Sequence, residues 1–306
     1  MSVIGAIDIG GTKIAAGIVD GDSSVISRRS EPTPATQGPD AVLTLAARLI
    51  REVSVDAGVE PIAIGVGTAG VVDPDAGMIL AATEALSDWT GTPVATQLAA
   101  LLGLPVHVEN DVTAFLLGEA TNGAAVGLAD VIAITIGTGI GGALLIDGQV
   151  VRGRTCVAGN IGHVPSPEAG ERRCPCGRFG HLEAFASGPA MTAAYGERSG
   201  QQVADLREVA DRARRGDGLA DEVLRAGAAA VGRIVGGLVN VLDPELILLG
   251  GGVLSVGPWY VAAVADAMTR ELLAPLDAVP VRAATLGGDA MLVGAAAAAR
   301  KVAKGA

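Results

Sequence analysis

The feature that most restricts the fold is a pattern that occurs twice: a short β-branched run, a glycine-rich turn, and a second apolar run directly behind it. Val3 to Ile9 leads into Asp8-Ile9-Gly10-Gly11-Thr12-Lys13, and Ile14 to Val19 follows at once, with Asp20-Gly21-Asp22 as the next turn. Far downstream, Val131 to Ile136 leads into Gly137-Thr138-Gly139-Ile140-Gly141-Gly142, and Ala143 to Ile146 closes on Asp147-Gly148. Apolar runs joined by glycines read as β-hairpins, because glycine supplies turn conformations that a side chain would strain. A third strand-into-glycine pattern appears at Leu246 to Leu249 with Gly250-Gly251-Gly252.

The segments between these landmarks alternate between strand and helix signals. A third strand is expected near Val25 to Arg29. Asp40 to Ala57 has helical periodicity, with Val42, Leu45, Leu49 and Val53 on one side. Ile62 to Val66 reads as a buried strand running into Gly67-Thr68-Ala69-Gly70. Thr92-Pro93-Val94 opens a helix to Leu102, Val106-His107-Val108 is a short strand ending at Glu109-Asn110-Asp111, and a helix covers Val112 to Ala120. Ala-rich helices fill Ala204 to Asp243, and Asp289 to Ala303 forms a closing helix. The expected organisation is an α/β protein of two lobes: residues 1–118 rejoined by 288–306, and residues 119–287. At 306 residues the chain is long enough to give each lobe a core.

Composition removes several classes of partner. Thirty-three acidic against 22 basic residues leave a net charge of −11, which argues against nucleic-acid backbones and anionic membranes, since both demand a basic face. The longest apolar stretch, Val131 to Ile146, contains two threonines and four glycines and falls short of the ~18 apolar residues of a membrane span. No basic leader followed by an apolar run opens the sequence, so a cytoplasmic location is expected. Only 2% of residues are aromatic although half are hydrophobic, so the cores must be built from Ala, Val, Leu and Ile.

Three groups of residues could carry chemistry. In Asp8-x-Gly10-Gly11-Thr12-Lys13 the glycines allow backbone N–H groups to approach phosphate oxygens, Thr12 adds a hydroxyl and Lys13 a charge. Asp8 at the strand end is placed to orient Mg²⁺ through water. The glycines join hairpin strands and open no helix, unlike those of Walker and Rossmann loops. The loop at Gly137, Thr138 and Gly139 repeats the arrangement, and two such turns suit a grip on a polyphosphate from both sides. Gly251 and Gly252 offer a close approach suited to adenine or ribose. Asp111, at a strand end before a helix, is either a base that orients an acceptor hydroxyl or merely the cap of that helix.

The third group is His163, Cys174, Cys176 and His181. Two of the three cysteines and two of the three histidines fall in this one window, a donor set that matches a closed, structural, tetrahedral Zn²⁺ site. Cys156 and His107 read as ordinary core or surface residues. Glu183, two residues beyond His181, would be held by the metal loop and could accept bonds from substrate hydroxyls.

Taken in order, Asp8-Ile-Gly-Gly-Thr-Lys13, Gly67-Thr-Ala-Gly70, Glu109-Asn-Asp111, Gly137-Thr-Gly-Ile-Gly-Gly142, Ile161-Gly-His163, Cys174-Pro-Cys-Gly177 and Leu249-Gly-Gly-Gly-Val253 resemble the ROK family of bacterial sugar kinases and repressors. The resemblance runs from about residue 4 to residue 298. It implies the actin-like, ribonuclease H-like sugar-kinase ATPase fold, with ATP and sugar bound between two lobes around a central cleft. It further implies Asp111 as general base for the sugar 6-hydroxyl, with Asn110, Glu183, His163 and the backbone around Gly70 holding the ring. Gly11, Thr12, Gly137, Thr138 and Gly251 would line the nucleotide, and His163 would use one ring nitrogen for sugar and the other for zinc. The family commonly forms homodimers or homotetramers.

Two positions depart from the family pattern. Asn160 stands where family kinases usually carry Glu, and a carboxamide donates hydrogen bonds that a carboxylate cannot. His181 stands at the third zinc Cys. The expectation is therefore a glucose-type hexose 6-kinase, with an amino-sugar kinase acting on N-acetylmannosamine or a ring-amine glucose analogue as the alternative that Asn160 favours. A sugar-responsive repressor would carry a helix-turn-helix domain before the first glycine loop, where Asp8 leaves no room. A non-catalytic sugar-binding regulator is opposed by Asp111 and both glycine loops.

Overall fold

The computed structural model describes residues 2–274 and 279–303; residues 275–278 of the expected second lobe and 304–306 of the expected closing segment lie outside them. The chain divides into two compact units, one of residues 1–127, 152–158 and 285–306, the other of residues 128–151 and 159–284.

In the first unit, β1 (Ile4–Ile9), β2 (Lys13–Val19) and β3 (Val25–Pro32) form an antiparallel meander. After α1 (Pro39–Ala57), β4 (Ile64–Thr68) joins β1 in parallel. A small hairpin of β5 (Val71–Asp73) and β6 (Met78–Ala81) precedes α2 (Val94–Leu102), and β7 (Val106–Asn110) completes the sheet in the order β3-β2-β1-β4-β7. The register sets Asp8 beside Gly67 and Gly67 beside Glu109, with Thr68 beside Asn110 one step further. The carboxyl ends of three parallel strands thus carry the residues singled out above, which is where open α/β sheets bind ligands.

Helix α3 (Asp111–Asn122) runs four residues past the expected lobe boundary at 118, and the first unit continues to Gly127. The second unit repeats the topology. Its β8 (Val131–Ile136), β9 (Ile140–Ile146) and β10 (Gln149–Val150) form the meander. Four helices follow: α4 (Glu183–Ala186), α5 (Gly188–Ser199), α6 (Leu206–Arg214) and α7 (Gly218–Leu242). Then come β11 (Leu246–Gly250), α8 (Trp259–Thr269) and β12 (Val281–Ala283), in the sheet order β10-β9-β8-β11-β12. The last helix, α9 (Ala290–Ala303), belongs to the first unit.

Few aromatic residues force close packing of small ones. Ile7, Ile9, Ile14, Ile18, Val66 and Leu49 are buried in the first core, and Ile132, Ile134, Leu249 and Val235 in the second. Helices α3 and α9 approach so closely that a Cβ at Gly294 would collide with the Ala114 carbonyl, and one at Gly118 with the Ala290 carbonyl. Among the described residues no helix is long and apolar enough to cross a membrane.

Candidate active site

In the first unit the β1–β2 turn is tight. The Gly10 N–H bonds the Lys13 carbonyl at 3.0 Å, while Thr33 donates its hydroxyl to the Gly10 carbonyl at 2.6 Å and its N–H to the Thr12 carbonyl at 3.0 Å. A Cβ on Gly11 would stand 3.2 Å from the backbone of Ala85, so the loop is tightly packed at this point. Thr12 and Lys13 are exposed at its tip. Just below it, burial pushes the Asp8 carboxyl up to about 7; the charge of Asp111 adds to this, and Lys13 and Arg28 oppose it. A half-buried carboxyl whose ionisation is disfavoured by burial and by a neighbouring acid is a hard oxygen donor that fits a divalent cation such as Mg²⁺.

Asn110, and not Asp111, caps α3. Its backbone is extended (φ −62°, ψ 145°), and its side-chain oxygen accepts the N–H groups of Val112 at 2.9 Å and Thr113 at 3.1 Å. Its Nδ2 donates to the Gly70 carbonyl at 3.0 Å and to Asp111 Oδ1 at 2.9 Å. All four hydrogen-bonding positions of the carboxamide are thereby used, so Asn110 reaches a sugar hydroxyl only by sharing a donor. The reading of Asp111 as a mere cap is corrected. Desolvation raises its carboxyl pKa, partly offset by the Val112 N–H and Asn110. Gly70 has φ +110°, and a Cβ there would stand 2.8 Å from the Ala81 carbonyl, which is why only glycine serves at this bend.

Beneath Asn110 lies a network not visible in the sequence. Buried Glu109 bonds His107 Nε2 at 3.0 Å and pairs with Arg152. His107, read above as an ordinary residue, thus braces the strand end that carries Asp111. Burial acts to raise the Glu109 carboxyl, but His107 and Arg152 outweigh it and hold it below the usual range. On the neighbouring strand Thr68 accepts the Trp89 indole N–H at 3.3 Å.

In the second unit the loop at Gly137, Thr138 and Gly139 joins β8 to β9. The Gly137 carbonyl accepts the Gly188 N–H at 2.9 Å from the start of α5, and Gly251 (φ +92°) lies against Ile136, where a Cβ would collide with the backbone. A Cβ on Gly137 would stand 3.9 Å from the Gly252 nitrogen, so the two glycine segments lie side by side at the carboxyl ends of β8 and β11. Buried Glu183, first residue of α4, accepts the Ile140 N–H at 2.8 Å on Oε2. Its Oε1 lies 3.6 Å from Cys174 Sγ.

The metal-type donors converge as expected. His163 ends a short helical turn, Ile161–His163, whose first carbonyl contributor is Asn160: the His163 N–H bonds the Asn160 carbonyl at 3.1 Å. Cys174 and Cys176 stand on a tight turn closed by the Gly177 N–H to the Cys174 carbonyl at 2.9 Å, and His181 pairs with Pro165 across an antiparallel bridge. Cys174 Sγ lies 3.6 Å from His163 Nδ1, Cys176 Sγ lies 3.3 Å from His181 Nδ1, and all four donor atoms fall within 4.8 Å of one another. Tetrahedral zinc with bonds of ~2.0–2.3 Å sets its donors about 3.3–3.8 Å apart, a spacing the two Cys–His pairs already have, so the residues fit the ion. Cys174 is buried and Cys176 exposed.

The sequence-derived residues thus fall into two sets. Asp8, Gly10, Gly11, Thr12, Lys13, Gly70, Asn110 and Asp111 belong to the first unit; Gly137, Thr138, Gly139, Asn160, His163, Cys174, Cys176, His181, Glu183, Gly251 and Gly252 belong to the second. Two sheets of repeated topology, each opening on a glycine-turned hairpin, define the actin-like ATPase fold of sugar kinases. The chain belongs to the ROK family, whose family model matches residues 4–302. It is 34% identical over 314 residues to a glucokinase of Streptomyces coelicolor, covering 96% of each chain. It is 32% identical over 294 residues to an N-acetylmannosamine kinase of Shigella boydii, covering 95% of this chain and 96% of that one. The crystal structure of a ROK family glucokinase from Streptomyces griseus in complex with glucose and AMPPNP superposes with a TM-score of 0.86 at 33% identity, covering 98% and 100% of the two chains.

Proposed function

We propose that the protein transfers the γ-phosphoryl group of ATP to the 6-hydroxyl of glucose or a closely related sugar. The hydroxyl oxygen forms the new bond to phosphorus, the bond to the β-phosphate oxygen breaks, ADP leaves, and the hydroxyl proton passes to Asp111. The observation that carries this reading is the Asn110–Asp111 pair. Asn110 takes over the cap and donates to Asp111 Oδ1 at 2.9 Å, so Oδ2 is left for the acceptor hydroxyl. A carboxyl whose pKa is raised by desolvation is a stronger base than an ordinary surface aspartate.

Nucleotide binding is assigned to Gly10, Gly11, Thr12 and Lys13 in one unit and to Gly137, Thr138, Gly139, Gly251 and Gly252 in the other. Asp8 would hold Mg²⁺ through water. His163, Cys174, Cys176 and His181 would hold Zn²⁺, which supplies a rigid cross-link to the turns that carry them and no reactive group. With Nδ1 on the metal, His163 keeps Nε2–H as a donor to a sugar oxygen. Gly70, Asn110, Asn160 and Glu183 Oε1 complete the sugar side. The second reading, an amino-sugar kinase, is favoured by Asn160, whose carboxamide can donate to an N-acetyl carbonyl where the usual Glu cannot.

Coupled ADP release across glucose, mannose, glucosamine and N-acetylmannosamine tests both readings. Glucose turning over fastest supports the first, and N-acetylmannosamine turning over fastest supports the second. Turnover of none of them refutes both.

A further inference from the structure

Ile140, the residue that leaves the glycine loop and begins β9, is gripped on both of its backbone polar groups by elements of the metal cluster. Its N–H goes to Glu183 Oε2 at 2.8 Å. Its carbonyl packs against Gly162, where any Cβ would collide with it, and Gly162 sits inside the turn that ends in His163. Glu183 also fills the space under the loop: a Cβ on Gly139 would stand 2.5 Å from Glu183 Oε2. The other oxygen of the same carboxylate lies 3.6 Å from Cys174 Sγ. One buried carboxylate therefore touches both a metal donor and the loop assigned to phosphate.

We propose that Glu183 is a positioning residue that transmits metal occupancy to nucleotide binding. The inference rests on the kinase reading, since it needs the Gly137–Gly139 loop to hold a nucleotide. The link acts through rigidity. A bound ion fixes His163 and His181; Gly162, next to His163, and Glu183, two residues beyond His181 at the start of α4, then hold Ile140. The loop amides are then preorganised for phosphate, so a nucleotide need not order them on binding. When the ion is removed, the Ile161–His163 turn and the Cys174 turn are no longer tied together, and the loop loses both restraints. The metal cluster would then govern affinity for nucleotide as well as for sugar.

The test uses the full chain with no sugar present, so that binding is read apart from turnover. ADP affinity is measured by calorimetry for zinc-loaded protein, for protein stripped with a chelator, and for stripped protein given zinc back. Stripping is expected to weaken ADP binding by roughly fivefold or more, the fold-change of one lost hydrogen bond, and zinc is expected to restore it. In Glu183→Ala, ADP binding is expected to be weak from the start and to respond to neither treatment, because the link itself is gone. Gly139→Ala, which pushes a methyl group against Glu183 from the loop side, serves as the second variant and is expected to weaken ADP binding similarly. Equal ADP affinity with and without zinc, or a Glu183→Ala protein that still responds to zinc, overturns the inference. If zinc-loaded wild-type protein binds no ADP at all, the kinase reading fails instead.

Discussion

Asn110 and Asp111 divide between them two tasks that a single aspartate often combines at a helix start. Asn110 Oδ1 receives the Val112 and Thr113 N–H groups, and its Nδ2 holds Asp111 Oδ1 at 2.9 Å. Asp111 is therefore oriented by its neighbour and is not itself needed as the cap. Asp111→Asn should lower kcat by about 10²–10⁴-fold, the range for loss of a general base, while sugar binding measured by calorimetry changes little. Asn110→Ala should cost about 1 kcal/mol of unfolding free energy for the missing cap and lower kcat as well. An Asn110→Ala enzyme with full kcat would show that Asp111 does not depend on it.

Asp8 gives the protein a distinctive pH response. Its folded pKa of about 7 lies above the ordinary 3.8, so the folded state holds this proton more tightly than the unfolded chain does. The stability Asp8 contributes is therefore full below 3.8, falls as pH rises through that value to about 7, and does not change further. Asp8→Asn removes the effect. Melting temperatures compared at about pH 5 and about pH 8 without Mg²⁺ should show the variant gaining on wild type as pH rises. Added Mg²⁺ should stabilise wild type more at the higher pH, where the carboxylate is ionised. An unchanged gap between the two proteins across this window would contradict the assignment.

The metal cluster can be counted directly. Elemental analysis should find about one zinc per chain in wild type, and Cys174→Ala or His181→Ala should lose it on desalting. His181→Cys should keep it, since thiolate and imidazole are both zinc donors and the position stands in the same turn. Chelation should lower the melting temperature. A metal-free wild-type protein with the same melting temperature as the untreated one would remove zinc from the account.

Much of the architecture is legible in the sequence because it is encoded locally. Val131 to Ile136 reads as a strand and is one, and the break at Gly10-Gly11 is a hairpin turn, because β-branched runs and glycines act over a few residues. Where glycines act through tertiary contact the reading fails. Gly141 and Gly142 look like loop, yet they lie in β9 and pair with Thr135 and Ile134, and at Gly142 the Gly159 carbonyl and Ile161 leave no space for a Cβ. The short strands β5, β6, β10 and β12 have too few residues to show a period. At the site, the residue types were readable but not their partners. Whether Asn110 or Asp111 caps α3 is set by the extended backbone at Asn110. The Glu109–Arg152 pair spans 43 positions, and nothing in either neighbourhood points to the other.

The glycine packing of the first core supplies a stability prediction in which two opposed effects are separable. Replacing a helical glycine by alanine stabilises an open site by about 1 kcal/mol through helix propensity. At Gly294 the added methyl would collide with the Ala114 carbonyl, and both groups lie in helices packed along their length. Overpacking of this kind costs about 1–3 kcal/mol and more when backbone must move, so the clash outweighs the propensity gain and Gly294→Ala should be destabilised. Gly237 in α7 is exposed, and a Cβ there would meet nothing within 4 Å. Gly237→Ala should therefore show the propensity gain alone. Urea unfolding of the two variants beside wild type should move the midpoints in opposite directions, and a Gly294→Ala protein at or above the wild-type midpoint would mean that α3 and α9 can separate without cost.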